Sequence, residues 1–390
     1  MTFSTTLKIP IPGGSLQRTE RMKAFFQRHG KLHLWLAAEL LLLGIYAAVR
    51  KNGTWMTALT QNVSIPFRHG LGELSARVPF CVMEALCALL AVFVPAYLLL
   101  GALAVFRAEP GRRRSRFYGL LLGAVCTGLS VWCAFCWLWG VQYAADGFQA
   151  RSGIYAQAVS VDELEAMTRY FADRLAGTAG RVDRDENGAF AVSREDILAD
   201  SPQAYGALGR EFSFLTLEDR PPKAVRFSRL MSRLDFTGIY CPLTGESCVN
   251  VDSPAAFLPS TAAHELAHRR GFASEQECNF LAVLACTTCG LDDYAYSGWL
   301  LGYVHLGNAL YSADPDRWRA VYDALPETVR TDLRDNNDYW AQFRDSAVRR
   351  ASSTVYDGFL KANGDENGLK SYGAVVDLLT VYYRDAALSP

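Results

Sequence analysis

The chain has 390 residues, of which 50% are hydrophobic and 20% charged, and its formal net charge is −1. So much apolar content excludes a wholly disordered chain, and a near-neutral charge argues against a nucleic-acid-binding protein. The charge is unevenly divided, with a net of +10 in residues 1–141 and −11 in residues 142–390. The sequence therefore predicts two parts in different surroundings and no nucleic-acid partner.

Three apolar stretches stand out in the first part, at residues 32–49, 80–106 and 117–141. A helix needs roughly 20 apolar residues to cross the hydrocarbon layer of a membrane, so these stretches predict three transmembrane helices. The first stretch also has the length of a signal-peptide core. We interpret it as an uncleaved helix, because a long tail precedes it and residues 46–48 form a poor cleavage site.

The basic residues beside these stretches predict the orientation of the anchor, because lysine and arginine concentrate in loops on the cytoplasmic side. Six lie in residues 1–31 and five in residues 107–116, against four in the longer segment 50–79. We therefore expect a cytoplasmic tail at 1–31, a membrane anchor at 32–141 and an extracytoplasmic domain at 142–390. The predicted location is the cytoplasmic membrane, crossed several times, with the lipid bilayer as a partner.

Two acidic residues, Glu39 and Glu84, lie within or beside the apolar stretches. An ionisable group in hydrocarbon is costly and by default suggests a function. We favour the simpler interpretation, in which Glu39 faces a neighbouring helix and Glu84 lies near the outer interface.

Residues 142–390 have the pattern of a globular domain that is mainly helical. Ser160 and Glu163 are spaced as a capping box at the start of a helix, and the segment 236–251 predicts a β-hairpin. From Ser260 onward almost every segment has helical periodicity. Strands followed by helices are typical of the α+β class, which we predict for this domain.

The string His264-Glu265-Leu266-Ala267-His268 carries the clearest chemistry in the sequence. Histidines four residues apart lie on the same face of a helix, so both imidazoles reach one metal ion. The glutamate after the first histidine is then placed to act as general base toward a water molecule. We predict a Zn²⁺ site with His264 and His268 as ligands and Glu265 as a catalytic residue.

A catalytic zinc takes a third protein ligand and keeps one position open. Ser274 stands where a three-histidine zinc motif would have its last histidine. We rank Glu275, at the start of the next predicted helix, ahead of Glu277 and His305. Glu277 has another explanation, since it can complete a capping box with Ser274. Asn279, four residues after Glu275, shares its helix face and is expected to orient a ligand histidine.

These residues carry a resemblance at two levels. The motif and the segment 275–282 resemble the arrangement of glutamate-zincin metallopeptidases. The segments 238–250, 356–363 and 368–373, with the motif and the three apolar stretches, resemble the bacterial membrane family known as domain of unknown function 3810. The resemblance covers most of the chain and implies a zincin-like, metal-binding peptidase domain on an N-terminal anchor. Cys278 stands where the pattern usually has alanine, a small-for-small exchange.

Peptide hydrolysis also needs a means to hold the substrate and a donor for the developing oxyanion. In the zincins that this chain resembles, extended substrate pairs with a strand above the active-site helix. The predicted hairpin, which includes residues 247–251, is our candidate for that edge. The candidate oxyanion donors are Tyr372, His305 and Tyr303.

The cysteines do not predict a competing metal site. They divide equally between the predicted membrane helices (Cys81, Cys87, Cys126, Cys133 and Cys136) and the outer domain (Cys241, Cys248, Cys278, Cys286 and Cys289). A four-cysteine zinc site favours two close pairs, which this spacing does not provide. Outside the cell, a disulfide between Cys241 and Cys248 is compatible with the hairpin. An odd number outside leaves one thiol unpaired, so most are expected to be small core residues.

Two functions are compatible with these observations. The first is a membrane-anchored zinc metallopeptidase of the gluzincin type, in which Glu265 activates water for attack on a peptide or protein substrate. The second is a non-catalytic zinc-binding receptor or assembly factor that uses the zincin fold for binding alone. Retention of Glu265 favours the enzyme. Charged residues around the motif, among them Asp252 and Arg269, argue against an intramembrane protease.

Overall fold

The computed structural model describes residues 22–344, 346–362 and 372–388. These residues form two compact units. The first, which we call the anchor unit, contains the described residues up to Ala48 together with Leu89–Ala134. The second, which we call the main unit, contains Val49–Ala88 together with the described residues from Phe135 onward.

Three helices near the N-terminus are long and apolar enough to cross a membrane. They are the first, fourth and fifth in the series α1 (Gly30–Val49), α2 (Gly53–Leu59), α3 (Ile65–Ser75), α4 (Val82–Phe106) and α5 (Pro110–Leu138). This confirms the three apolar helices predicted from the sequence. Helix α5 begins before the predicted residue 117, because the arginine-rich segment is also helical: proline fits the first turn, and arginine is a good helix former.

Glu39 lies on α1 and faces a neighbouring helix, as the sequence analysis expects. Its carboxylate accepts hydrogen bonds from Ser130 Oγ of α5 at 2.7 Å and from Trp35 Nε1 at 3.1 Å. On the same pair of helices, His33 Nε2 shares a hydrogen bond of 2.7 Å with the Tyr118 hydroxyl. Interhelical hydrogen bonds of this kind hold apolar helices together, so packing explains the acidic residue.

The segment between α1 and α4 belongs to the main unit. Residues 50–79 have no apolar stretch of membrane length and are expected to connect the first two apolar helices, whereas the structure has α2, a π-helical turn at Thr60–Ser64 and α3 there. Helix α3 packs against the hairpin, where Ser75 Oγ donates a hydrogen bond to Thr244 O at 2.7 Å. Helices this short depend on tertiary packing more than on local propensity, which is why periodicity does not reveal them.

The rest of the main unit is helical apart from one small sheet. Its helices are α6 (Phe148–Ser152), α7 (Val161–Ala179), α8 (Arg194–Asp200), α9 (Gly206–Glu211), α10 (Ser228–Arg233), α11 (Leu258–Arg269), α12 (Glu275–Thr288), α13 (Asp292–Ala313), α14 (Pro315–Asp323), α15 (Glu327–Ala341), α16 (Ala347–Ala362) and α17 (Tyr372–Leu388). Its strands are β1 (Lys223–Ala224), β2 (Gly238–Cys241) and β3 (Glu246–Val249). The capping box of Ser160 and Glu163 forms at the start of α7, as predicted.

The three strands form a sheet in the order β1-β3-β2. Strands β2 and β3 are the predicted antiparallel hairpin, and β1 pairs in parallel with the other side of β3. Within the predicted hairpin, β3 is not the edge at which a substrate can pair, because it has a partner on both sides and is buried along its length. A two-residue strand such as β1 leaves no alternating pattern in the sequence. In the described structure, β2 is an open edge of the sheet.

The hairpin has no disulfide between Cys241 and Cys248. In the register of the hairpin, Cys241 lies opposite Glu246, and Cys248 lies opposite Ile239. The two cysteines thus occupy diagonal positions, which lie roughly 7–8 Å apart and exceed the usual reach of a disulfide.

The close approach of α3 to the hairpin turn depends on Gly245. Its φ is +68°, and an added Cβ would overlap the backbone of Arg68 and Gly72. We predict that Gly245→Ala lowers the free energy of unfolding by about 3 kcal/mol, because backbone strain and steric overlap add. Gly153→Ala is the matched control, since Gly153 has a φ of +77° but open space around it, and strain alone costs ~1 kcal/mol. Denaturant unfolding of the full-length protein in detergent measures both, and equal losses would contradict the prediction.

Helix α11, which carries the His-Glu motif, is held between the sheet and the helical core. On the sheet side, Ser247 Oγ donates a hydrogen bond to Glu265 O at 3.0 Å. On the other side, Leu266 is fully buried in the main core with Phe280 of α12 and Leu300 of α13. Burial of one such side chain stabilises a fold by roughly 1.5–3 kcal/mol. Packing on two faces therefore fixes the position of the motif.

Candidate metal centre

The two histidines of the motif lie one turn apart near the end of α11. Gly271, with a φ of +92°, follows the last turn of this helix. His264 Nε2 and His268 Nε2 are 3.1 Å apart, and the rings meet edge to face. His268 is 6% exposed, so one of the two imidazoles is almost fully removed from solvent.

The carboxylate of Glu275, at the start of α12, lies beside both imidazoles. Its Oε2 is 3.1 Å from His264 Nε2, and its Oε1 is 3.6 Å from His268 Nε2. Ligand atoms bound at 2.0–2.1 Å around a tetrahedral ion lie about 3.3–3.4 Å from one another. The observed separations bracket that value. His264, His268 and Glu275 therefore have the spacing of three protein ligands on one ion.

Glu277, the alternative third ligand, lies elsewhere. Its carboxylate accepts hydrogen bonds from the backbone N–H groups of Phe148 and Gln149 at the start of α6. Gly147 provides the space, because an added Cβ there would overlap the carboxylate. The N–H of Glu277 donates to Ser274 Oγ at 3.5 Å. The capping box expected here is only half formed, since the Glu277 side chain is used by another helix.

Hydrogen bonds fix the orientation of both imidazoles. His264 Nδ1 lies 2.9 Å from Asn279 Oδ1, and His268 Nδ1 lies 2.8 Å from Phe272 O. A carbonyl oxygen only accepts, so each Nδ1 carries the proton and donates. Asn279 thus has the contact that the sequence analysis assigns to it. Cys278 Sγ lies 3.3 Å from His268 Nδ1, and burial raises the pKa of this thiol to about 11, which keeps it neutral.

With each Nδ1 donating to a carbonyl oxygen, the two Nε2 atoms lie 3.1 Å apart beside the Glu275 carboxylate. A neutral imidazole protonated at Nδ1 has its lone pair on Nε2 and can bind a metal ion there. The carboxylate would stabilise a positive charge between these groups, whether a proton or a metal ion. Two imidazole nitrogens and one carboxylate oxygen are the donor set of a catalytic zinc site with three protein ligands. The residues present therefore fit zinc.

Glu265 lies next to these three groups but is not one of them. Its side chain is 3% exposed, and within the described residues its Oε2 has no hydrogen-bond partner. Burial raises the pKa of Glu265 to about 7, although His264 and His268 act in the opposite direction. Gly238 of β2 lies against the carboxylate, because an added Cβ there would overlap it. A buried carboxylate in this position is well placed to accept a proton from water.

Tyr356 of α16 contacts the centre, and the sequence analysis gives it no role. Its hydroxyl donates a hydrogen bond to Glu275 Oε1 at 2.6 Å, and its ring stacks on Phe359. Burial and the charge of Glu275 raise the pKa of Tyr356, so the hydroxyl stays protonated. One signal was present, since Tyr356 begins a segment that carries the family resemblance. Nothing in its spacing connects it to the motif.

Two of the three predicted oxyanion donors lie on α13, and the third lies at the start of α17. His305 is buried on α13, and burial lowers its pKa to about 4, which keeps it neutral. Tyr303, on the same helix, is buried near Tyr322 of α14, and burial raises the pKa of its hydroxyl. Tyr372 is the first residue of α17, and its side chain lies outside the described residues.

Arg68 of α3 contacts the carboxyl end of the motif helix α11. Its fully buried guanidinium stacks on the rings of Trp139 and Tyr240, at 5.4 and 5.2 Å from their centroids. It also donates a hydrogen bond to the backbone carbonyl of His268 at 3.5 Å. The ring of Trp139 packs edge-on against His268. A buried cation in contact with two aromatic faces stabilises this arrangement and holds the carboxyl end of α11.

The contact between Asn279 and His264 leads to a prediction about metal affinity. We expect Asn279→Ala to weaken zinc binding about 10–100-fold, because a ligand imidazole that loses its partner is no longer held in one orientation and tautomer. Asn279→Asp keeps the accepting oxygen and should retain affinity within a few-fold. Competition with a chromophoric chelator measures both variants in the full-length protein. Equal affinity of Asn279→Ala and the wild type would show that Asn279 does not orient the ligand.

A family model described as "protein of unknown function (DUF3810)" matches residues 61–380. This range includes α3, both later apolar helices and the whole candidate metal centre. No curated protein and no solved structure matches the chain.

Proposed function

The chain belongs to the DUF3810 family, and we propose that this member is a zinc metallopeptidase anchored in the cytoplasmic membrane. The observation that carries the proposal is the convergence of two Nε2 atoms and the Glu275 carboxylate, with separations of 3.1–3.6 Å. A buried carboxylate, Glu265, stands beside them. A metal-binding group beside a general base is the combination with which a metal-dependent hydrolase activates water.

Each residue of the centre has a distinct task. His264, His268 and Glu275 would hold zinc, while Asn279 and the Phe272 carbonyl keep the imidazoles in register. When bound, zinc would lower the pKa of a water molecule and polarise the scissile carbonyl.

The proton chemistry falls to the side chains of the protein. Glu265 removes a proton from the attacking water and returns it to the leaving amine. Among the residues that the structure describes, Tyr356 is the best-placed donor for the developing oxyanion, because its protonated hydroxyl already lies 2.6 Å from Glu275. His305, also near the centre, is neutral and buried.

Strand β2 is the surface on which a peptide would bind. Its far edge has no strand partner in the described sheet, and Gly238 at its start lies against Glu265. An extended peptide adds to such an edge through main-chain hydrogen bonds and needs no particular side chains to do so. A substrate paired with β2 would pass directly over the general base. The proposed substrate is therefore an extended peptide or an unfolded segment of a protein.

The proposed location follows from the order of the helices and the position of the arginines. Helices α4 and α5 cross in opposite directions, so the residues before Val82 and those after Leu138 lie on the same side. The arginine-rich segment 107–116 joins these helices and favours the cytoplasmic side. The main unit then faces outward. Protease added to cells stripped of any outer wall should digest it, and protection would contradict this location.

Metal analysis and hydrolysis of the same preparation test the proposed function. Full-length protein in detergent should contain about one zinc per chain and should cleave members of a broad peptide library. A chelator should abolish cleavage, and zinc should restore it. Zinc without cleavage of any peptide would favour the non-catalytic receptor or assembly factor, and absence of bound metal would contradict both functions.

A further inference from the structure

The start of α4 is fixed to the central strand of the sheet. The carboxylate of Glu246 in β3 accepts hydrogen bonds from the backbone N–H groups of Val82 and Met83, at 3.0 and 2.9 Å. Cys248, two residues further along β3, projects from the same face of the strand. Cys81 immediately precedes α4. The helix start and the strand therefore face each other through a carboxylate and a pair of thiols.

The two thiols are in contact in the interior of the main unit. Cys81 is 2% exposed and Cys248 is 0% exposed. With Val225 they form a small apolar cluster apart from the main core. Their sulfur atoms lie within 4.8 Å of each other. A disulfide bond is about 2.05 Å long, so rotation of the two side chains would have to close the remaining gap.

A metal ion is a poorer explanation of this cluster. Cys81, Cys248 and Glu246 have the proximity of three ligands, but the carboxylate of Glu246 already has partners. Lys223 Nζ lies 2.7 Å from its Oε1, in addition to the two N–H groups of α4. A structural zinc site needs four ligands, and a neighbouring ammonium group opposes a second cation.

We propose that Cys81 and Cys248 form a disulfide that ties the start of α4 to the central strand of the sheet. The proposal rests on the extracytoplasmic location argued above and is independent of zinc binding and catalysis. Disulfides persist in oxidising compartments. Cys81 lies before α4 and not in it, so it joins the five cysteines of the predicted outer domain and makes their number even.

The oxidant is a thiol–disulfide oxidoreductase of the extracytoplasmic space, which acts before the sheet closes over both thiols. One cysteine thiolate attacks the disulfide of the oxidant and releases one thiolate of the oxidant. The second cysteine then attacks the mixed disulfide, and the second oxidant thiolate leaves. The oxidant gains two electrons and two protons, and the chain loses two hydrogens.

Differential alkylation of the full-length protein tests the proposal. Membranes are prepared without reductant, the chain is denatured and alkylated, and peptides are identified by mass spectrometry. We expect eight of the ten cysteines to be alkylated and a linked peptide pair containing Cys81 and Cys248. Reduction should release the pair. Cys81→Ser should make Cys248 reactive without reductant, whereas Cys241→Ser, the matched control on β2, should leave the linked pair intact.

Thermal unfolding gives a second measurement. Reductant present during unfolding should lower the midpoint of the wild type by about 5–10 °C and leave the midpoint of the double variant Cys81→Ser/Cys248→Ser unchanged. Alkylation of both thiols without reduction would overturn the proposal, as would thiols that react only after a chelator has removed a metal. External digestion of the main unit and zinc content, measured on the same preparation, report separately on its location and on the proposed function.

Discussion

Glu275→Ala should lower the zinc affinity of the full-length protein by at least about a hundredfold, more than a change to a partner of a ligand would cause. The reason is geometric, because Glu275 is the carboxylate that lies 3.1 Å from His264 Nε2 and 3.6 Å from His268 Nε2. Two imidazoles alone leave a zinc ion with too few protein ligands for a stable catalytic site. Zinc content after dialysis against a weak chelator measures the loss.

Glu277→Ala is the matched control, since it removes the same group two residues further along the same helix. It should keep its zinc and lose about 1 kcal/mol of unfolding free energy, because the start of α6 loses its capping carboxylate. If Glu277→Ala loses the metal and Glu275→Ala keeps it, the ligand assignment is wrong.

Glu265→Gln should reduce peptide hydrolysis by about 10²–10⁴-fold and leave zinc content unchanged. The amide keeps the shape of the side chain but cannot take a proton from water. The variant should also be at least as stable as the wild type, because the carboxylate is buried without a hydrogen-bond partner for Oε2 among the described residues. Initial rates, metal analysis and thermal midpoints of the two proteins provide the three measurements.

The pattern across these measurements separates the possible outcomes. Loss of activity with full zinc content and an unchanged midpoint identifies Glu265 as the general base. Undiminished hydrolysis by Glu265→Gln would show that another residue takes the proton. Loss of zinc from the same variant would show that Glu265 supports the metal and does not act on water.

The sequence predicts the elements whose signals are local. The three apolar helices follow from length and composition, and the spacing of His264 and His268 follows from the helical repeat. Helix α12 begins after Ser274, which places Glu275 in the first turn. Asn279 lies one turn later on the same face, so its contact with His264 is also a local consequence of the helix.

The features that the sequence does not predict depend on contacts between distant segments. Strand β1 is two residues long, so nothing indicates that it covers the edge of β3. Tyr356 reaches Glu275 from a helix far along the chain. The count of apolar residues places Cys81 in a membrane helix, whereas the structure starts α4 one residue later, at Val82.

The position of Arg68 has a practical consequence for dissecting the protein. A soluble fragment cut just after the third apolar helix, at residue 142, would lack both Arg68 and Trp139. The carbonyl at the end of the motif helix and one face of Tyr240 would then meet solvent. If such a fragment is inactive, the cause would be the loss of the contacts that Arg68 and Trp139 make with the motif helix, and not the loss of a catalytic residue. A soluble version should instead join Val49–Ala88 directly to the chain from Phe135 onward, which is the main unit.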